Sequence, residues 1–198
     1  MLSEDDLAPT WAEQFDRWMK DALGAGLAEP YAMVVSTSTP EGRPSVRSVL
    51  LRGVSEAGFV FHTNYTSRKG RELAANPAAA LLFPCYDLRR QVVVDGNVEV
   101  LDAAESDAYW ASRPQGSQLS ALASPQSQVL GSREELEERR ATLFAKYGTG
   151  PVPRPSHWGG FRVVPAVVEF WQAGPDRLHD RLRYRLEGDG WIVERLAP

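Results

Sequence analysis

Residues 32–64 read AMVVSTSTPEGRPSVRSVLLRGVSEAGFVFHTN, and the pattern in this segment indicates the kind of sheet the chain forms. It contains three short apolar runs rich in β-branched residues, at 33–37, 46–51 and 59–61. Glu41-Gly42 separates the first two runs, and Glu56-Ala57-Gly58 separates the last two. Short β-branched runs between turn residues are typical of antiparallel strands. The segment therefore predicts an antiparallel meander.

Further strand signals lie on both sides of a helical region. They cover residues 80–83, 91–100 with a break at Asp95-Gly96, 161–171, 177–186 and 191–196, the last two joined by a turn at 188–190. Helices are predicted at 11–24 behind the capping residue Thr10, at 71–75, after Asp102, and from Ser132 to about Tyr147. Residues 113–129 are predicted to form short helical turns and ordered loops, and residues 148–155 are predicted to be extended because they contain three prolines.

Strands at both ends of the chain with helices grouped between them predict the α+β class. A closed or nearly closed antiparallel barrel is the expected architecture, because closure removes exposed sheet edges. We expect one domain over residues 1–198. It comprises an N-terminal helix (1–24), the first barrel strands (30–101), a helical segment (102–147) and the C-terminal strands (156–198).

Composition and missing motifs exclude several classes of protein. The chain has 198 residues with 22 basic and 26 acidic side chains, and the formal net charge of −4 argues against a nucleic-acid partner. No apolar run approaches the roughly 18 residues of a membrane helix, and the acidic start lacks the features of a signal peptide, so we expect a soluble, cytoplasmic protein with no membrane partner. The single cysteine, Cys85, can form no internal disulfide. Dinucleotide-binding, P-loop, zincin and α/β-hydrolase motifs are absent, and the three separated histidines form no metal-ligand pair.

The segment 177–186, RLHDRLRYRL, predicts one cationic face of a strand. Strict alternation places every second residue on the same face, namely Arg177, His179, Arg181, Arg183 and Arg185. Such groups repel one another unless water or an anion separates them. The face is therefore either the solvated side of an edge strand or a site for an anion or a flat ring, since arginine both binds phosphate and stacks on aromatic planes.

A second cationic segment, Thr63-Asn64-Tyr65-Thr66-Ser67-Arg68-Lys69-Gly70, lies between a predicted strand and a predicted helix. Backbone N–H groups and the positive end of a helix dipole meet at such a junction, which suits a phosphate, although exposed turns of this composition are also common. Arg47 and Arg52 have opposite parity on the preceding strand, so they are expected on different faces unless a bulge intervenes.

Nine segments resemble the pyridoxamine 5′-phosphate oxidase family, and they occur in the order found in that family. They are Arg47–Leu51, Thr63–Gly70, Arg90–Val92, Ser112–Pro114, Ser124–Ser127, Trp158–Phe161, Glu169–Gln172, Arg177–Arg181 and Arg195–Pro198. The resemblance covers nearly everything from Ala32 to the C-terminus. It implies an antiparallel split β-barrel with flanking helices that binds FMN and works as a homodimer, with the flavin at the subunit interface.

The resemblance also implies a set of site residues. Arg47, Arg68, Lys69 and Thr63 would hold the FMN phosphate together with Gln126 and Ser127, which we expect from the partner subunit, and Gln91, Trp171 and Arg181 would contact the flavin ring or its ribityl chain. Ser48, Val49, Leu50, Leu51, Arg52, His62 and Ser67 complete the implied cofactor-binding set. Tyr109, Arg113 and Ser117, with Arg52, would bind the substrate phosphate. Arg177 and His179 would be the catalytic residues, Arg177 lying over the pyridine ring and His179 donating a hydrogen bond to a ring substituent.

The implied reaction is the oxidation of pyridoxamine or pyridoxine 5′-phosphate to pyridoxal 5′-phosphate, with dioxygen as acceptor and hydrogen peroxide as product. The alternatives are a related flavin oxidase with another substrate, such as a reduced phenazine precursor, and a non-catalytic flavin-binding protein. The chain departs from the family pattern on the substrate side, with Arg52 for Lys, His62 for Tyr, Cys85 for Trp, Ser120 for Gly and Leu122 for Trp. We also expect it to lack the N-terminal arm that reaches over the active site in the family.

Overall fold

The computed structural model describes residues 2–198 and contains five α-helices and nine strands in that range. The helices are α1 (Trp11–Gly24), α2 (Arg68–Ala75), α3 (Ala103–Ser112), α4 (Gln115–Ala123) and α5 (Arg133–Tyr147). The strands are β1 (Ala32–Ser38), β2 (Pro44–Leu50), β3 (Gly53–Ser55), β4 (Gly58–Asn64), β5 (Ala78–Cys85), β6 (Arg90–Val100), β7 (Trp158–Gln172), β8 (Asp180–Glu187) and β9 (Gly190–Arg195). Single 3-10 turns lie at Glu4–Asp6, Tyr86–Leu88 and Pro175–Arg177.

All strand pairs are antiparallel, and the sheet curls until its two ends meet. The main path runs β2-β1-β5-β6-β7-β4-β3, while β8 pairs with β7 and β9 pairs with β8. Its two terminal strands, β2 and β3, are consecutive in the chain and only Leu51 and Arg52 separate them. The Arg52 N–H donates to the Val60 carbonyl at 2.8 Å, which ties this junction to β4. The α+β split barrel expected from the sequence is confirmed.

The interior of the barrel and the inner face of α1 share one apolar core. Trp11 and Phe15 of α1 pack on Phe59 of β4, with ring centroids 5.0 and 5.1 Å apart. The α1 helix begins where the Thr10 side chain accepts a hydrogen bond from the Glu13 N–H, as predicted. Burial of these large rings on one helix face accounts for most of the stability that α1 contributes, because isolated helices of this length are marginal in water.

A second, smaller core holds the helical segment beside the barrel. It contains the side chains of Trp110, Leu119, Ala121, Val152 and Trp158. The Trp110 indole N–H donates to the Val152 carbonyl at 2.7 Å, and the Gln118 amide donates to the Trp110 carbonyl at 2.7 Å. These two buried hydrogen bonds fix α3 and α4 against the extended segment that follows α5.

Two helix predictions are corrected in extent. The α2 helix begins at Arg68 and not at residue 71, because the Ser67 hydroxyl caps it by accepting from the Gly70 N–H. Residues 115–123, predicted as short turns, form the regular helix α4. None of the helices in residues 2–198 is long and apolar enough to cross a membrane.

The predicted break at Asp95-Gly96 is wrong. Strand β6 is continuous from Arg90 to Val100, and its register against β7 shifts at this point. A Cβ on Gly96 would lie 2.2 Å from the Val164 carbonyl oxygen, so glycine permits a close approach of two strands here and not a chain reversal. A β-bulge therefore replaces the expected turn.

The cationic strand is also shorter than predicted. β8 begins at Asp180, and Arg177 belongs to a turn in which Asp176 and Arg177 have positive φ of 50° and 63°. The three arginines that do alternate on β8 are neutralised by glutamates: Arg181 pairs with Glu169, and Arg183 and Arg185 pair with Glu194. Carboxylates on the two neighbouring strands, β7 and β9, thus supply the negative charge that the isolated segment lacked.

Candidate active site

A cavity of about 1100 Å³ lies between the barrel rim and helices α3, α4 and α5, and we call it the basic cavity. Its lining contains four permanent or near-permanent cations, Arg52, Lys69, Arg113 and Arg140, and no carboxylate. None of these four forms an ion pair within residues 2–198, whereas the arginines of β8 are all paired. Unpaired cations gathered in one concave site attract an anion. The basic cavity is therefore the candidate binding site of the chain.

Lys69 points into the basic cavity from the first turn of α2. Its ammonium donates to the Thr63 hydroxyl at 3.0 Å and to the Ser67 hydroxyl at 3.4 Å. Burial lowers the Lys69 pKa, and the positive charge of Arg47 lowers it further. An anion beside Lys69 would relieve both effects, so this part of the cavity suits a phosphate group.

The His62 ring lies on the floor of the basic cavity against two aromatic rings. It stacks on Tyr109 with centroids 3.9 Å apart and on Trp158 with centroids 5.4 Å apart. Both ring nitrogens are buried and have no hydrogen-bond partner. Burial lowers the His62 pKa to about 4, and the charges of Arg113 and Arg52 add to the shift. The imidazole is thus neutral at pH 7.

Gly160 makes room for this ring. A Cβ at Gly160 would lie 2.4 Å from a methyl carbon of Leu101 and 2.9 Å from the His62 Nε2 atom. Gly160 is also the register partner of His62 on the neighbouring strand. Gly160 therefore lies inside β7 and allows His62 to pack against the strand.

Arg113 caps the C-terminus of α3 and lies over two indole rings. Its guanidinium carbon is 5.0 Å from the Trp110 ring centroid and 4.7 Å from that of Trp158. One terminal nitrogen donates to the Ser117 carbonyl at 3.1 Å, while the other, Nη1, is buried without a partner. A buried, unsatisfied guanidinium N–H is costly unless a ligand accepts its hydrogen bond.

Arg47 and Arg68 do not line the basic cavity. Both bind the buried carboxylate of Glu72, with nitrogen–oxygen distances of 3.3 and 2.8 Å. Thr37 and Ser45 also donate to this carboxylate, and these bonds overcome burial and lower the Glu72 pKa to about 2. The implied phosphate-binding residues are therefore divided: Lys69 and Thr63 line the cavity, whereas Arg47 and Arg68 pair with Glu72 outside it.

A second group of implied site residues lies at the other end of the sheet, and we call it the distal cluster: Gln91, Trp171, Arg177, His179 and Arg181. Gln91 is the register partner of Trp171, which is the register partner of Arg181. The His179 ring contacts the Trp171 ring with centroids 4.7 Å apart. From Gly160 beside the basic cavity to Trp171, strand β7 rises about 36 Å at about 3.3 Å per residue. The two groups are therefore far apart along one chain.

Gln126 lies in the basic cavity of its own chain. Its side-chain oxygen accepts a hydrogen bond from the Thr63 hydroxyl at 3.3 Å. Within one chain Gln126 thus lies beside Thr63, and its expected contribution to the partner subunit's site stays a prediction. Ser127, the next residue, is exposed, has a positive φ of 69° and does not line the cavity.

The basic cavity thus collects about half of the implied residues: Val49, Leu50, Arg52, His62, Thr63, Lys69, Tyr109, Arg113, Ser117 and Gln126. Arg47, Ser48, Leu51, Ser67, Arg68 and Ser127 lie outside it, as does the distal cluster. Leu51 is buried in the main core, and Ser48 is exposed on the outer face of β2.

Sequence reasoning missed Arg140 and Glu72. Arg140 lies in a segment predicted only as a charged helix. The spacing nevertheless distinguishes it, because Arg139 has an acidic residue, Glu135, four residues before it, whereas Arg140 has Leu136. Glu72 gave no signal, because only the folded chain brings β1, β2 and α2 around it.

Comparison with known proteins agrees with this geometry. Residues 19–146 match the family model described as pyridoxamine 5′-phosphate oxidase. Residues 158–198 match the model described as pyridoxine 5′-phosphate oxidase C-terminal dimerisation region. The chain belongs to the pyridoxamine 5′-phosphate oxidase family. The range matched by the first family model, 19–146, includes every residue that lines the basic cavity except Trp158. The range matched by the second, 158–198, includes every residue of the distal cluster except Gln91.

Relatives match over the whole chain. Proteins named pyridoxine/pyridoxamine 5′-phosphate oxidase from Salinispora arenicola and Rubrobacter xylanophilus are 55% and 56% identical, over 100% of this chain and 90% and 91% of theirs. The structure of PhzG from Burkholderia lata 383 in complex with tetrahydrophenazine-1-carboxylic acid has a TM-score of 0.94 and 35% identity, over 100% of this chain and 98% of that one. A pyridoxamine 5′-phosphate oxidase-related, FMN binding protein from Nostoc punctiforme has a TM-score of 0.75 and 18% identity, over 98% of this chain and 99% of that one, and at this identity it shows the fold alone.

Proposed function

We propose that this chain is an FMN-dependent oxidase that converts pyridoxamine or pyridoxine 5′-phosphate to pyridoxal 5′-phosphate, with dioxygen as acceptor and hydrogen peroxide as product. The observation that carries the proposal is the basic cavity, where four unpaired cations and no carboxylate surround a stack of aromatic rings. Such a site suits a flat ring that bears a phosphate. The names of relatives at 55% and 56% identity support this choice of substrate.

The residues present fit FMN. A half-buried ammonium, Lys69, and the hydroxyl of Thr63 offer donors for its phosphate, and Gln126 adds an amide beside them. Trp171 and Arg181 of the distal cluster offer a ring and a cation for the flavin ring system. When bound, FMN supplies the hydride acceptor and passes the electrons on to dioxygen.

The substrate phosphate is assigned to the other side of the basic cavity. Arg113 presents its unpartnered Nη1 there, and Ser117 adds a hydroxyl one helical turn away. Arg52 lies over the Tyr109 ring, with its guanidinium carbon 5.8 Å from the ring centroid. Two guanidiniums and two hydroxyls match the three oxygens and double charge of a phosphate monoester.

We further propose that the complete site forms between two copies of the chain. The basic cavity and the distal cluster lie at opposite ends of β7, so a ligand that touches both needs the distal cluster of a second copy. Residues 158–198, which match the dimerisation region, expose Leu178, Leu186, Trp191 and Val193. Apolar side chains grouped at an exposed sheet edge are typical of an interface between subunits. The chain itself is proposed to be one domain, since β7 pairs with β4 and β6 of the N-terminal half.

Two residues of the distal cluster would then act on the substrate ring. The His179 Nδ1 accepts a hydrogen bond from the Gly174 N–H at 3.2 Å, which places the proton of the neutral imidazole on Nε2. That N–H can donate to a ring substituent and hold the substrate in one orientation. Arg177 is exposed, so its planar guanidinium is free to cover a pyridine ring from one side.

The test is the visible spectrum of the FMN-loaded protein when pyridoxine 5′-phosphate is added without oxygen. We expect the flavin bands to bleach and to return on admission of air, with pyridoxal 5′-phosphate and hydrogen peroxide formed in equal amounts. Unphosphorylated pyridoxine is the matched control and should bleach the flavin far more slowly, because it leaves the cations of the basic cavity without an anion. Flavin bands that persist with the phosphorylated substrate would contradict the proposal.

The likeness to PhzG at a TM-score of 0.94 favours one second candidate, oxidation of a reduced aromatic carboxylic acid. A carboxylate could also bind the cations of the basic cavity, but it carries one charge against two for a phosphate. Arg113→Gln separates the candidates. If Arg113 binds the substrate phosphate, this change should strongly reduce flavin bleaching by pyridoxine 5′-phosphate. In that case a dihydro- or tetrahydrophenazine carboxylate should not bleach the flavin of the unchanged protein.

A further inference from the structure

Helix α5 contributes one wall of the basic cavity, although none of its residues is buried. Leu136 and Arg140, one helical turn apart, both line the cavity opposite Ser120 of α4. The same three residues line a smaller adjoining cavity of about 440 Å³. This face of α5 is therefore turned towards the site, while Leu143 and Tyr147, further along the helix, pack on the second core.

Arg140 differs from its neighbours on α5 in having no acidic partner. Arg133 binds Glu137 at 2.7 Å and Arg139 binds Glu135 at 2.6 Å, both across one helical turn. No carboxylate within residues 2–198 forms an ion pair with the Arg140 guanidinium, because Leu136 stands four residues before it and Glu137, three residues before it, pairs with Arg133. A free cation in a row of paired ones is available for a ligand.

The surroundings of the Arg140 guanidinium are themselves positive. Its Nη2 atom lies 4.0 Å from the position that a Cβ on Gly116 would occupy, in the first turn of α4. The N-terminal end of a helix carries a partial positive charge, which disfavours a cation. Arg113 lies two residues before that helix and adds a full charge. A dianion bound among these groups would be attracted by both guanidiniums and by the N-terminal end of α4.

We propose that Arg140 is a further specificity-determining residue, which binds the phosphate of the substrate together with Arg113, Arg52 and Ser117. This inference rests on the proposed function and extends the substrate-phosphate site to α5. The role of Arg140 is to increase affinity for phosphorylated over unphosphorylated ligands, without contact with the reacting carbon. Its loss should therefore weaken binding of the ligand in the ground state and transition state equally.

The experiment compares Arg140→Ala with Arg139→Ala in the FMN-loaded protein. Both changes remove one positive charge from the exposed surface of α5, but Arg139 is paired with Glu135 and does not line the basic cavity. We expect Arg140→Ala to raise the dissociation constant of pyridoxal 5′-phosphate and the KM for pyridoxine 5′-phosphate about five- to tenfold, as loss of one charge-assisted contact predicts. The kcat should stay unchanged, and Arg139→Ala should stay within about twofold of the unchanged protein in both constants. Arg140→Lys should restore part of the affinity.

A dissociation constant for Arg140→Ala that equals that of Arg139→Ala would overturn the proposal. A fall in kcat with no change in KM would overturn it as well, since Arg140 would then act on the chemical step. Binding of pyridoxal 5′-phosphate is measured by its own absorbance and needs no turnover. If the unchanged protein binds this ligand but does not oxidise pyridoxine 5′-phosphate, the proposed function fails while the comparison of dissociation constants still decides the role of Arg140.

Discussion

The His62 imidazole shows what one buried side chain does to its surroundings. The ring lies against Tyr109 and beside two guanidiniums, and neither nitrogen has a partner in the folded chain. A proton on His62 would add a further positive charge to the basic cavity, whose lining already contains four cations and no carboxylate. The fold therefore keeps His62 neutral, and the stability of the folded protein depends on pH for that reason.

Acidification should destabilise the protein through His62. An unfolded histidine binds a proton below about pH 6.5, whereas folded His62 does so only near its pKa of about 4. Between these values the unfolded state binds more protons, so the contribution of His62 to the free energy of unfolding should fall as the pH drops from about 6.5 to 4 and then level off. Urea titrations across this range in phosphate-free buffer should show a steeper fall for the unchanged protein than for His62→Phe. Parallel curves, or a His62 proton resonance that titrates near pH 6.5, would refute the assignment.

At the scale of elements, the sequence predicted most helices and strands because their periodicity and capping are local properties. Thr10 and Ser132 cap the helices that follow them, as their spacing indicated. The failures occurred where a distant strand decides the local structure. Asp95-Gly96 has the composition of a hairpin turn, but pairing with β7 on one side and β5 on the other keeps it in a strand. The cationic alternation of residues 177–186 likewise could not show that Glu169 and Glu194 lie beside it.

Strand β6 should tolerate no side chain at Gly96, where β7 bulges against it. In Gly96→Ala the new Cβ would lie 2.2 Å from the Val164 carbonyl oxygen, so two central strands must move apart. We expect a loss of about 2–3 kcal/mol in the free energy of unfolding. Gly53→Ala is the matched control in a strand, because its Cβ would meet Val60 at an ordinary 3.7 Å. Urea denaturation followed by tryptophan fluorescence measures both, and equal midpoints would show that the close approach at Gly96 is not needed.

At the scale of the whole molecule, the sequence predicted a set of site residues but not how the fold divides them. The nine family segments gave one set of site residues in chain order, and nothing in that order shows that β7 carries two parts of the set at its opposite ends. Eleven residues of this strand separate Gly160 from Trp171, which is about 36 Å of chain when fully extended. A symmetric pair of chains resolves this, since each copy can supply a basic cavity to one site and a distal cluster to the other.

Two inactive variants should therefore restore each other. Arg113→Gln removes the basic cavity's guanidinium and Arg177→Gln removes that of the distal cluster, so each should abolish most activity alone. When the two chains are co-expressed and pair at random, half of the dimers are mixed, and each mixed dimer has one doubly altered site and one intact site. Activity per flavin should then reach about a quarter of that of the unchanged protein.

Pairing Arg113→Gln with Arg52→Gln, both in the basic cavity, should restore nothing, because every site in such a mixture carries an alteration. If neither mixture recovers activity, the two groups of residues do not act together across the dimer. The proposed role of the distal cluster would then be wrong.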